Sequence, residues 1–274
     1  MDTQLKDIQR CLLNMVKDFH IICNDNKLTY FIIGGTFLGA VRHQGFIPWD
    51  DDIDIGMPRD SYEKFLKLPD SKLPSYLTRL SAGYGNNKRD FLYIKLCNNN
   101  TTIIENINEK RIEGIYIDIF PIDGAHNTKL ASKIKYYRSR FYTYGIWLNA
   151  SEKNRRGIVK KVTQNYFSIF DNNKLYNNGN KMLAKTSYDN SKYVGNFMGN
   201  WGLKEIMKKE ILGKPTLYKF EDTLLYGPQL GHEFLSTVYG NYLDIPPKEK
   251  QESHHTYEYI NLDLGFEEYA KLYK

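Results

Sequence analysis

The 274-residue chain has few of the features that mark several large protein classes. Its three cysteines, Cys11, Cys23 and Cys97, form no CxxC pair and have no metal-ligand spacing, which argues against a disulfide scaffold and a zinc site. Free, buried thiols in a reducing cytoplasm are the expected state. No apolar run approaches the roughly 18 residues that a membrane-spanning helix needs, and the first residues do not resemble a signal peptide. The sequence therefore predicts a cytoplasmic protein, either soluble or peripheral at the inner face of a membrane.

Internal repeats and low-complexity linkers are also absent, and hydrophobic residues make up 41% of the chain. This composition is typical of a globular protein. Helical and strand-like patterns alternate up to about residue 125, and from about residue 127 the strands are expected to stop. The sequence thus predicts an α/β core over 1–125, with a mainly helical region over 126–274 packed on it as part of one compact unit.

Local patterns place the first elements of the core. An amphipathic helix is predicted over 3–26, because its apolar residues recur at intervals of three and four. A short strand over 30–33 ends at the glycine pair 34–35, and Thr36 is the expected cap of the helix that follows.

The middle of the core is less regular. Residues 69–90 are rich in loop formers, and a strand is predicted over 91–97. Residues 101–105 are expected to pair with that strand across a turn of three asparagines. A further strand is predicted over 114–124.

Carboxylates alternate with isoleucines in the run Asp52-Ile53-Asp54-Ile55. Successive side chains of a strand point to opposite faces, so the two aspartates are expected to share one face while the isoleucines enter the core. Two carboxylates on one face repel each other unless a cation lies between them. Hard oxygen ligands suit Mg²⁺ or Mn²⁺, and such ions usually carry a phosphate. A solvated acidic turn is the alternative, but it does not explain the isoleucines.

A calcium-binding EF-hand does not fit this run. Counted from Asp50, the sixth position requires glycine and holds Ile55, and the twelfth requires glutamate and holds Ser61.

Asp118 is a third candidate ligand, because a carboxylate between two isoleucines is costly to bury alone. If its strand is a neighbour of the first, Asp118 completes a site of three carboxylates that can hold two divalent ions. Gly34, Gly35 and Thr36 then have a role too. Glycines let backbone amides approach a phosphate, and the N-terminus of a helix favours an anion; a simple tight turn is the alternative.

These segments resemble the signature of the LicD family, phosphotransferases of the nucleotidyltransferase superfamily. The resemblance is carried by IGGT at 33–36 and by GAVRHQGFIPWDDDID at 39–54. IDIFPID at 117–123 is similar to the family's second motif, and the segment from Tyr239 to Lys250 is similar to its C-terminal pattern. In that last segment Asn241 stands where aspartate is expected. The resemblance covers nearly the whole chain and is weakest over 125–215.

The resemblance implies a nucleotidyltransferase-type fold of the α/β (α+β) class, a small mixed sheet flanked by helices with a helical extension. Asp52 and Asp54 would be paired ligands of Mg²⁺ or Mn²⁺ and Asp118 the third carboxylate. The reaction would move a phospho-alcohol, typically phosphocholine, from a CDP-alcohol such as CDP-choline to a sugar hydroxyl, releasing CMP. The acceptor would be a cell-surface glycan such as teichoic acid, lipopolysaccharide or capsule, free or lipid-linked. Relatives in this wider group transfer ribitol phosphate instead.

Several other side chains are candidates for the site. Arg42 and Lys95 are expected to hold the diphosphate of the donor, with surface salt bridges as the alternative. For His43 a structural role is favoured over a base or a phosphate contact. Asp50 and Asp51 are expected to shape the loop and its field rather than bind metal, and Asp123 to cap a turn.

Two further functions have weaker candidates. Activation of the acceptor hydroxyl is assigned to one of Glu221, His254 and His255, although a structural role is favoured for each. Recognition of choline needs an aromatic box, whose possible members, also explained by core packing, are Tyr84, Phe91, Tyr93, Tyr116 and Trp201.

The formal net charge of +6 is concentrated in one segment, 129–161, which holds ten basic residues and a single acid, Glu152. Aromatic residues lie among the charges. Four interpretations compete: a contact with an anionic membrane, a contact with a phosphate-bearing glycan, nucleic-acid binding, or a solvated helix surface. The first two are favoured over nucleic acid, because the signature resembles a surface-glycan family.

Two other functions are weighed against the transferase. An NTP-dependent nucleotidyltransferase would act on RNA or a small alcohol and release pyrophosphate, and only the choice of donor separates it from the first reading. A non-catalytic glycan-binding module is the third hypothesis. The three carboxylates argue against it, since an inactive module does not need a costly cluster of like charges.

Overall fold

The computed structural model describes residues 3–81, 92–105, 112–150, 158–253 and 255–272. The helices in these ranges are α1 (Thr3–Asp25), α2 (Gly34–His43), α3 (Arg59–Leu66), α4 (Lys129–Ala150), α5 (Ile158–Phe167), α6 (Asn172–Ala184), α7 (Lys209–Leu212), α8 (Gly231–Tyr239) and α9 (Phe266–Leu272). The strands are β1 (Phe31–Ile32), β2 (Asp54–Pro58), β3 (Leu77–Ser81), β4 (Ile94–Asn98), β5 (Thr102–Glu105), β6 (Ile112–Glu113), β7 (Tyr116–Gly124), β8 (Tyr193–Asn196), β9 (Ile206–Lys208), β10 (Thr216–Phe220), β11 (Thr223–Gly227) and β12 (Tyr257–Asn261).

A mixed sheet forms the centre of the molecule, with the strand order β1-β2-β7-β4-β3. β8 pairs with β7 beside this path, and β9 pairs with β8. Strands β2 and β7 run parallel, whereas the other described pairs of this sheet are antiparallel. Helices flank the sheet, and the predicted α+β class with a small mixed sheet is confirmed.

The first helix covers the sheet with its apolar face, as its three-and-four spacing predicts. Leu12, Met15 and Phe19 on this face are fully buried. The ring of Phe19 packs edge-on against Tyr30 at 5.1 Å and against Phe65 at 5.4 Å between ring centroids. This helix thus joins β1 and α3 into one hydrophobic core.

The three cysteines are free, with Cys23 and Cys97 buried and Cys11 half-buried. Among the helices of the described ranges, none is both long and apolar enough to cross a lipid bilayer.

The expectation that strands stop near residue 127 is wrong, because β8 to β12 all lie beyond it. Strands β8 and β9 extend the central sheet, β10 and β11 form a hairpin, and β12 pairs with β5. Each has only three to five residues, and these include Gly195, Lys208 and Lys219 rather than a clear alternation of apolar and polar side chains. So short a segment carries too little pattern to predict a strand. The division into 1–125 and 126–274 stays a prediction.

The predicted pairing of residues 101–105 with the strand before them is also wrong. Strand β5 pairs with β6 and β12 in a separate sheet. Both edges of β4 are already occupied, since Lys95 is registered with Leu80 of β3 on one side and with Asp118 of β7 on the other. Strand β3 itself lies in the segment that sequence patterns assigned to loops.

A buried ion pair fixes the end of β7 against α3. The Nε and Nη2 atoms of Arg59 donate hydrogen bonds of 2.7 and 2.6 Å to the two carboxylate oxygens of Asp123. The side chain of Asp123 is fully buried and that of Arg59 is 7% exposed. The predicted role of Asp123 as a turn cap is therefore wrong, and the carboxylate acts inside the core.

Candidate active site

Parallel pairing of β2 and β7 brings two of the predicted carboxylates together. Asp54 and Asp118 are register partners, and so are Ile55 and Ile119. Registered residues of neighbouring strands project from the same face of a sheet. The isoleucines enter the core, fully buried, and the two half-buried aspartates face the other way. The two strands are neighbours, which is the condition that the sequence analysis set for bringing Asp118 close to the other carboxylates.

Asp52 lies two residues before β2, in the loop that leads into it. Its charge affects the pKa values of Asp54 and Asp118, so it lies near both. Burial, followed by the charges of Asp52, Asp118 and Asp50, raises the pKa of Asp54 well above its usual range. Burial likewise raises the pKa of Asp118 to about 7, with the charge of Asp52 adding to the effect and that of Lys95 opposing it. The carboxylates thus repel one another across a shared space.

Glycines make room for this cluster at the start of α2. Gly34 has a φ of +57°, and a Cβ atom there would overlap the Oδ2 atom of Asp54. A Cβ atom at Gly35 would lie 2.7 Å from the Oδ2 atom of Asp50. The two glycines therefore allow two carboxylates to approach the first turn of the helix, where the helix dipole favours negative charge.

Thr36 does not cap α2, contrary to the sequence prediction. The helix begins at Gly34, with Ile33 in the cap position, so Thr36 already lies in its first turn. Its hydroxyl instead accepts a 2.8 Å hydrogen bond from the backbone N–H of Asp54. The backbone N–H of Ile33 donates to the carbonyl of Asp54 at 3.0 Å. These two bonds fix the first turn of α2 against the residue that carries the central carboxylate.

The carboxylates fit a divalent cation in charge and donor chemistry. The Oδ1 atom of Asp118 is buried and has no hydrogen-bond partner within the part of the chain that the structure describes. A buried carboxylate oxygen without a donor is unfavourable unless a cation faces it. Across the same described ranges, no group of three or more His, Cys, Asp or Glu side chains is arranged to hold a metal ion, so the metal site of three carboxylates stays a prediction. Mg²⁺ does not need three, since it commonly combines one or two carboxylates with waters and substrate phosphates.

Lys95 lies on the same face as Asp118, its register partner on β4. Its Nζ atom is 3.2 Å from the Oε2 atom of Glu113 and 3.5 Å from the ring centroid of Tyr116. Burial disfavours the charge of this lysine, but Glu113 and then Asp118 raise its pKa, so it stays cationic. The alternative of a surface salt bridge does not apply, since the side chains of Lys95 and Glu113 are 5% and 3% exposed.

Arg42 reaches a different part of the chain. Its Nη1 atom donates to the backbone carbonyls of Tyr242 at 3.1 Å and Asp244 at 3.2 Å, and its Nε atom donates to the Nε2 atom of His43. The two motifs of the sequence signature, at 39–54 and at 239–250, are thereby joined. The ring of His43 packs edge-on against Trp49, which agrees with the structural role favoured for it.

Sequence patterns missed an ion pair beside the carboxylates. The Nδ1 atom of His255 lies 3.0 Å from the Oδ1 atom of Asp51, whose side chain is buried. Burial opposes the charge of His255, yet the hydrogen bond with Asp51 and the charges of Asp51 and Asp52 raise its pKa to about 9. The histidine was a candidate for activating the acceptor, but a pKa raised in this way favours the protonated imidazolium at neutral pH, which is not a base. Nothing in the spacing of 204 residues indicated the partner.

A second group that sequence patterns missed consists of Glu205 and Tyr239. Burial raises the pKa of Glu205 to about 7, although hydrogen bonds from the backbone of Trp201 and the side chain of Asn196 lower it. After burial, the charges of Asp54 and Glu205 contribute most to the raised pKa of Tyr239. The ring of Trp201 packs edge-on against Tyr239 at 4.7 Å between centroids. The aromatic pair of Trp201 and Tyr239, with the carboxylate of Glu205, therefore lies beside the aspartate cluster.

The remaining candidates are dispersed. Glu221 accepts a 3.0 Å hydrogen bond from the backbone N–H of Phe46, so its carboxylate holds the loop after α2. Tyr93 packs against Phe120. The hydroxyl of Tyr116 donates a hydrogen bond to Glu105, and the ammonium group of Lys95 lies over the ring of Tyr116. Of the predicted aromatic-box residues that the structure describes, Trp201 packs against Tyr239. Three candidates lie outside the described residues: Tyr84, Phe91 and His254.

Replacing Gly34 with alanine is expected to remove activity by displacing the Asp54 carboxylate, because the new methyl group and that carboxylate need the same space. Gly240→Ala is the matched control. Gly240 also has a positive φ, +74°, but a Cβ atom there would meet nothing within 4 Å among the described residues. Both variants carry backbone strain, and Gly34→Ala alone carries the clash. Turnover and melting temperature measured in parallel separate the two effects; equal activity in both variants would contradict this view of Gly34.

The family described as LicD/FKTN/FKRP, nucleotidyltransferase domain, matches residues 27–153. The chain is 31% identical over 268 residues to the lipopolysaccharide cholinephosphotransferase LicD of Haemophilus influenzae, which covers 93% of this chain and 97% of that protein. It is also 31% identical over 147 residues to an uncharacterised protein of Rickettsia typhi, across 53% of this chain and 45% of that protein. An uncharacterised protein of Rickettsia prowazekii is 40% identical over 84 residues, which cover 30% of this chain and 32% of that protein.

Proposed function

Because this chain belongs to the LicD family, we propose that it transfers a phospho-alcohol, in the first instance phosphocholine, from a CDP-alcohol donor to a sugar hydroxyl of a cell-surface glycan. CMP is the leaving group, and the product is a phosphodiester. The glycan acceptor is of the lipopolysaccharide kind. The catalytic fold is of the nucleotidyltransferase type.

The observation that supports this proposal most is the near-complete match to a protein named as a lipopolysaccharide cholinephosphotransferase. A likeness that covers 93% of one chain and 97% of the other includes both the carboxylate strands and the C-terminal motif. The registered pair Asp54 and Asp118 provides the matching chemistry, since phosphoryl transfer needs a site that positions phosphates and balances their charge.

Asp52, Asp54 and Asp118 would hold Mg²⁺ or Mn²⁺. When bound, the cation would neutralise the donor phosphates and stabilise the leaving CMP. The negative charge of the carboxylates repels an anionic phosphate, so binding of the donor phosphates would need the cation. Lys95 on the neighbouring strand stabilises the ionised form of Asp118, which limits the rise of the pKa of that carboxyl to about 7.

The chain's own backbone would orient the donor. Gly34 and Gly35 permit close approach at the first turn of α2, and Thr36 fixes that turn to Asp54. Arg42 is proposed as a cation for the donor diphosphate that also joins α2 to the C-terminal motif. The pair of Trp201 and Tyr239, with Glu205 beside it, is proposed to receive the quaternary ammonium group, since aromatic faces and a carboxylate together attract such a cation.

A donor panel tests the proposal. Purified protein is incubated with lipopolysaccharide and Mg²⁺, Mn²⁺ or EDTA, and with CDP-choline, CDP-ethanolamine, CDP-glycerol, CDP-ribitol, ATP or CTP. We expect metal-dependent CMP release from CDP-choline, and a raised KM for CDP-choline but not for CDP-glycerol in Trp201→Ala. Preference for another CDP-alcohol would keep the reaction class and replace the alcohol. Pyrophosphate release from ATP or CTP would overturn the proposal in favour of a nucleotidyltransferase.

A further inference from the structure

A group of exposed apolar side chains lies on α4, far along the sequence from the carboxylates. Five large side chains on this helix are between 41% and 70% exposed: Leu130, Ile134, Tyr137, Phe141 and Tyr144. Their spacing of four, three, four and three residues places them on one narrow face, called here the α4 stripe. The opposite face packs inward through Ser132, Ser139 and Ile146, all buried.

The α4 stripe continues onto the next helix. Phe167 of α5 is buried against it, with ring centroids 5.1 Å from Phe141 and 6.1 Å from Tyr144. Further exposed apolar side chains lie around Phe167, and they form the α5 patch: Val162, Tyr166, Ile169 and Phe170. The ring of Phe167 contacts Tyr166 and Phe170 as well, so it joins the stripe to the patch. So many exposed apolar side chains are unusual for a protein exposed only to water.

Cations border this surface on both sides. At 100° per residue, Lys133 and Arg140 flank the α4 stripe on one side and Arg138 flanks it on the other, all three exposed. Lys161 is exposed beside the α5 patch. From residue 129 to residue 170 the sequence has one acidic residue, Glu152, which lies outside the described residues. An apolar centre with a basic rim is the pattern of a helix that lies in the headgroup region of a bilayer.

A basic groove adjoins the α4 stripe. It has a volume of about 680 Å³ and lies between α4 and the end of α6. Ile134 of the stripe and Arg138 of the rim line one wall, and Lys181 and Lys185 line the other. No acidic side chain lines it within the described ranges. Its floor includes Lys135, whose Nζ atom donates to the carbonyls of Gly124 and Leu183 at 2.6 and 2.7 Å.

We propose that the α4 stripe and the α5 patch dock onto an anionic lipid membrane, with the basic groove receiving a lipid phosphate at its surface. The exposed aliphatic side chains enter the boundary between headgroups and acyl chains, and the basic rim contacts the anionic headgroups. The proposal is independent of the donor and the acceptor of the reaction.

Charge and composition favour this occupant over the others. A second copy of the chain on the same surface would place Lys133 and Arg140 against their own kind, which is unfavourable. A nucleic acid would use the cations but would leave Leu130, Ile134 and Ile169 in water. A bilayer surface satisfies the apolar and the cationic side chains together.

Vesicle co-sedimentation tests the proposal with the full chain. One set of vesicles contains phosphatidylcholine alone, and the other contains phosphatidylcholine with phosphatidylglycerol. We expect binding to the anionic vesicles, weakened by salt, and much less binding to the neutral ones. Lys133→Gln with Arg140→Gln is expected to weaken binding about fivefold for each cation removed. Arg138→Gln with Lys185→Gln is expected to reduce the preference for anionic over neutral vesicles.

Matched controls separate the surface from general effects. Ile134→Ser with Phe141→Ser is expected to abolish binding, whereas Leu217→Ser with Leu224→Ser, exposed on the β10–β11 hairpin, leaves it unchanged. Lys64→Gln with Lys72→Gln is the control for charge, and circular dichroism verifies each fold. Equal binding to both vesicle types, no binding, or equal loss in the controls would each overturn the proposal. A dimer in solution that the Ile134→Ser and Phe141→Ser variant dissociates would assign the surface to a second copy. An oligonucleotide complex lost only with the cations would assign it to nucleic acid.

Discussion

Replacing either registered carboxylate by its amide, as Asp54→Asn or Asp118→Asn, is expected to lower turnover about a thousandfold while making the metal-free protein more stable. The two effects have opposite signs because the same charges serve the reaction and oppose the fold. Burial and neighbouring aspartates raise the pKa of both groups, so each carboxylate at neutral pH destabilises the folded state. The amide keeps the shape of the side chain and removes the charge.

The sign of the stability change also predicts its pH range. The unfolded carboxyl ionises near its usual pKa of 3.8, whereas Asp118 in the folded protein has a pKa of about 7. The destabilisation therefore begins above about pH 4, grows to about pH 7 and is complete above it. In EDTA at pH 8, the melting temperature of Asp118→Asn is expected to lie a few degrees above that of the unmodified protein. Each kcal/mol of added stability corresponds to about 2–4 °C. At pH 3.5 the two proteins are expected to melt at the same temperature.

Asp60→Asn is the matched control, because Asp60 is an exposed aspartate on α3, away from the carboxylate cluster. It should leave both CMP release and melting temperature unchanged. Thermal melts in EDTA and CMP release with Mg²⁺ provide the two readings. Full activity in Asp54→Asn would refute the site, and a lower melting temperature in EDTA would refute the repulsion.

The second large effect concerns stability alone. Asp123→Asn is expected to lower the free energy of unfolding by about 3–5 kcal/mol, because it leaves the guanidinium of Arg59 buried without its counter-charge. The pair is held by hydrogen bonds of 2.6 and 2.7 Å in a site closed to water. Lys135 contributes to the same effect. Burial lowers its pKa to about 8 and the charge of Asp123 opposes that change, so Asp123→Asn removes a counter-charge from this lysine as well.

Urea denaturation measures this change, and Glu63→Gln is its control. Glu63 contacts the same guanidinium at 3.3 Å but its side chain is 29% exposed, so its loss should cost less than about 1 kcal/mol. Replacing both partners, as Arg59→Met with Asp123→Leu, should recover part of the loss, since no unpaired charge is left. Equal unfolding free energies for Asp123→Asn and Glu63→Gln would show that burial does not govern this pair.

The parts of the site that could be predicted from sequence are those in which residues act through local pattern. Asp54 and Ile55 are consecutive residues of a strand, and consecutive side chains of a strand point to opposite faces, so the face of each could be predicted. The helix over 3–25 is equally local, because its apolar face repeats within a few residues. Asp118 could be placed on a strand in the same way, and the family resemblance supplied its partner.

The parts that could not be predicted depend on contacts between distant segments. Arg59 and Asp123 are 64 residues apart, and His255 and Asp51 are 204 apart, with no spacing rule that relates them. Thr36 looked like a helix cap because threonine commonly is one, yet the helix starts earlier and the hydroxyl is used by Asp54. Glu205 is the last residue of a short helical turn, Gly202–Glu205, where nothing in the local sequence marks an acid with a raised pKa.

The pairing of β8 with β7 has a consequence for synthesis on the ribosome. Strand β7 is complete at Gly124, but its partner β8 begins at Tyr193, which is 69 residues later. Because synthesis adds about 5–20 residues per second, the edge of β7 at Ile122–Gly124 stays unpaired for roughly 3 to 14 s until that partner has been made. The hairpin that packs on β1 follows later still. The nascent chain therefore carries the strands of Asp54 and Asp118 before it can cover the edge beside them, and a chaperone would have most to protect during this interval.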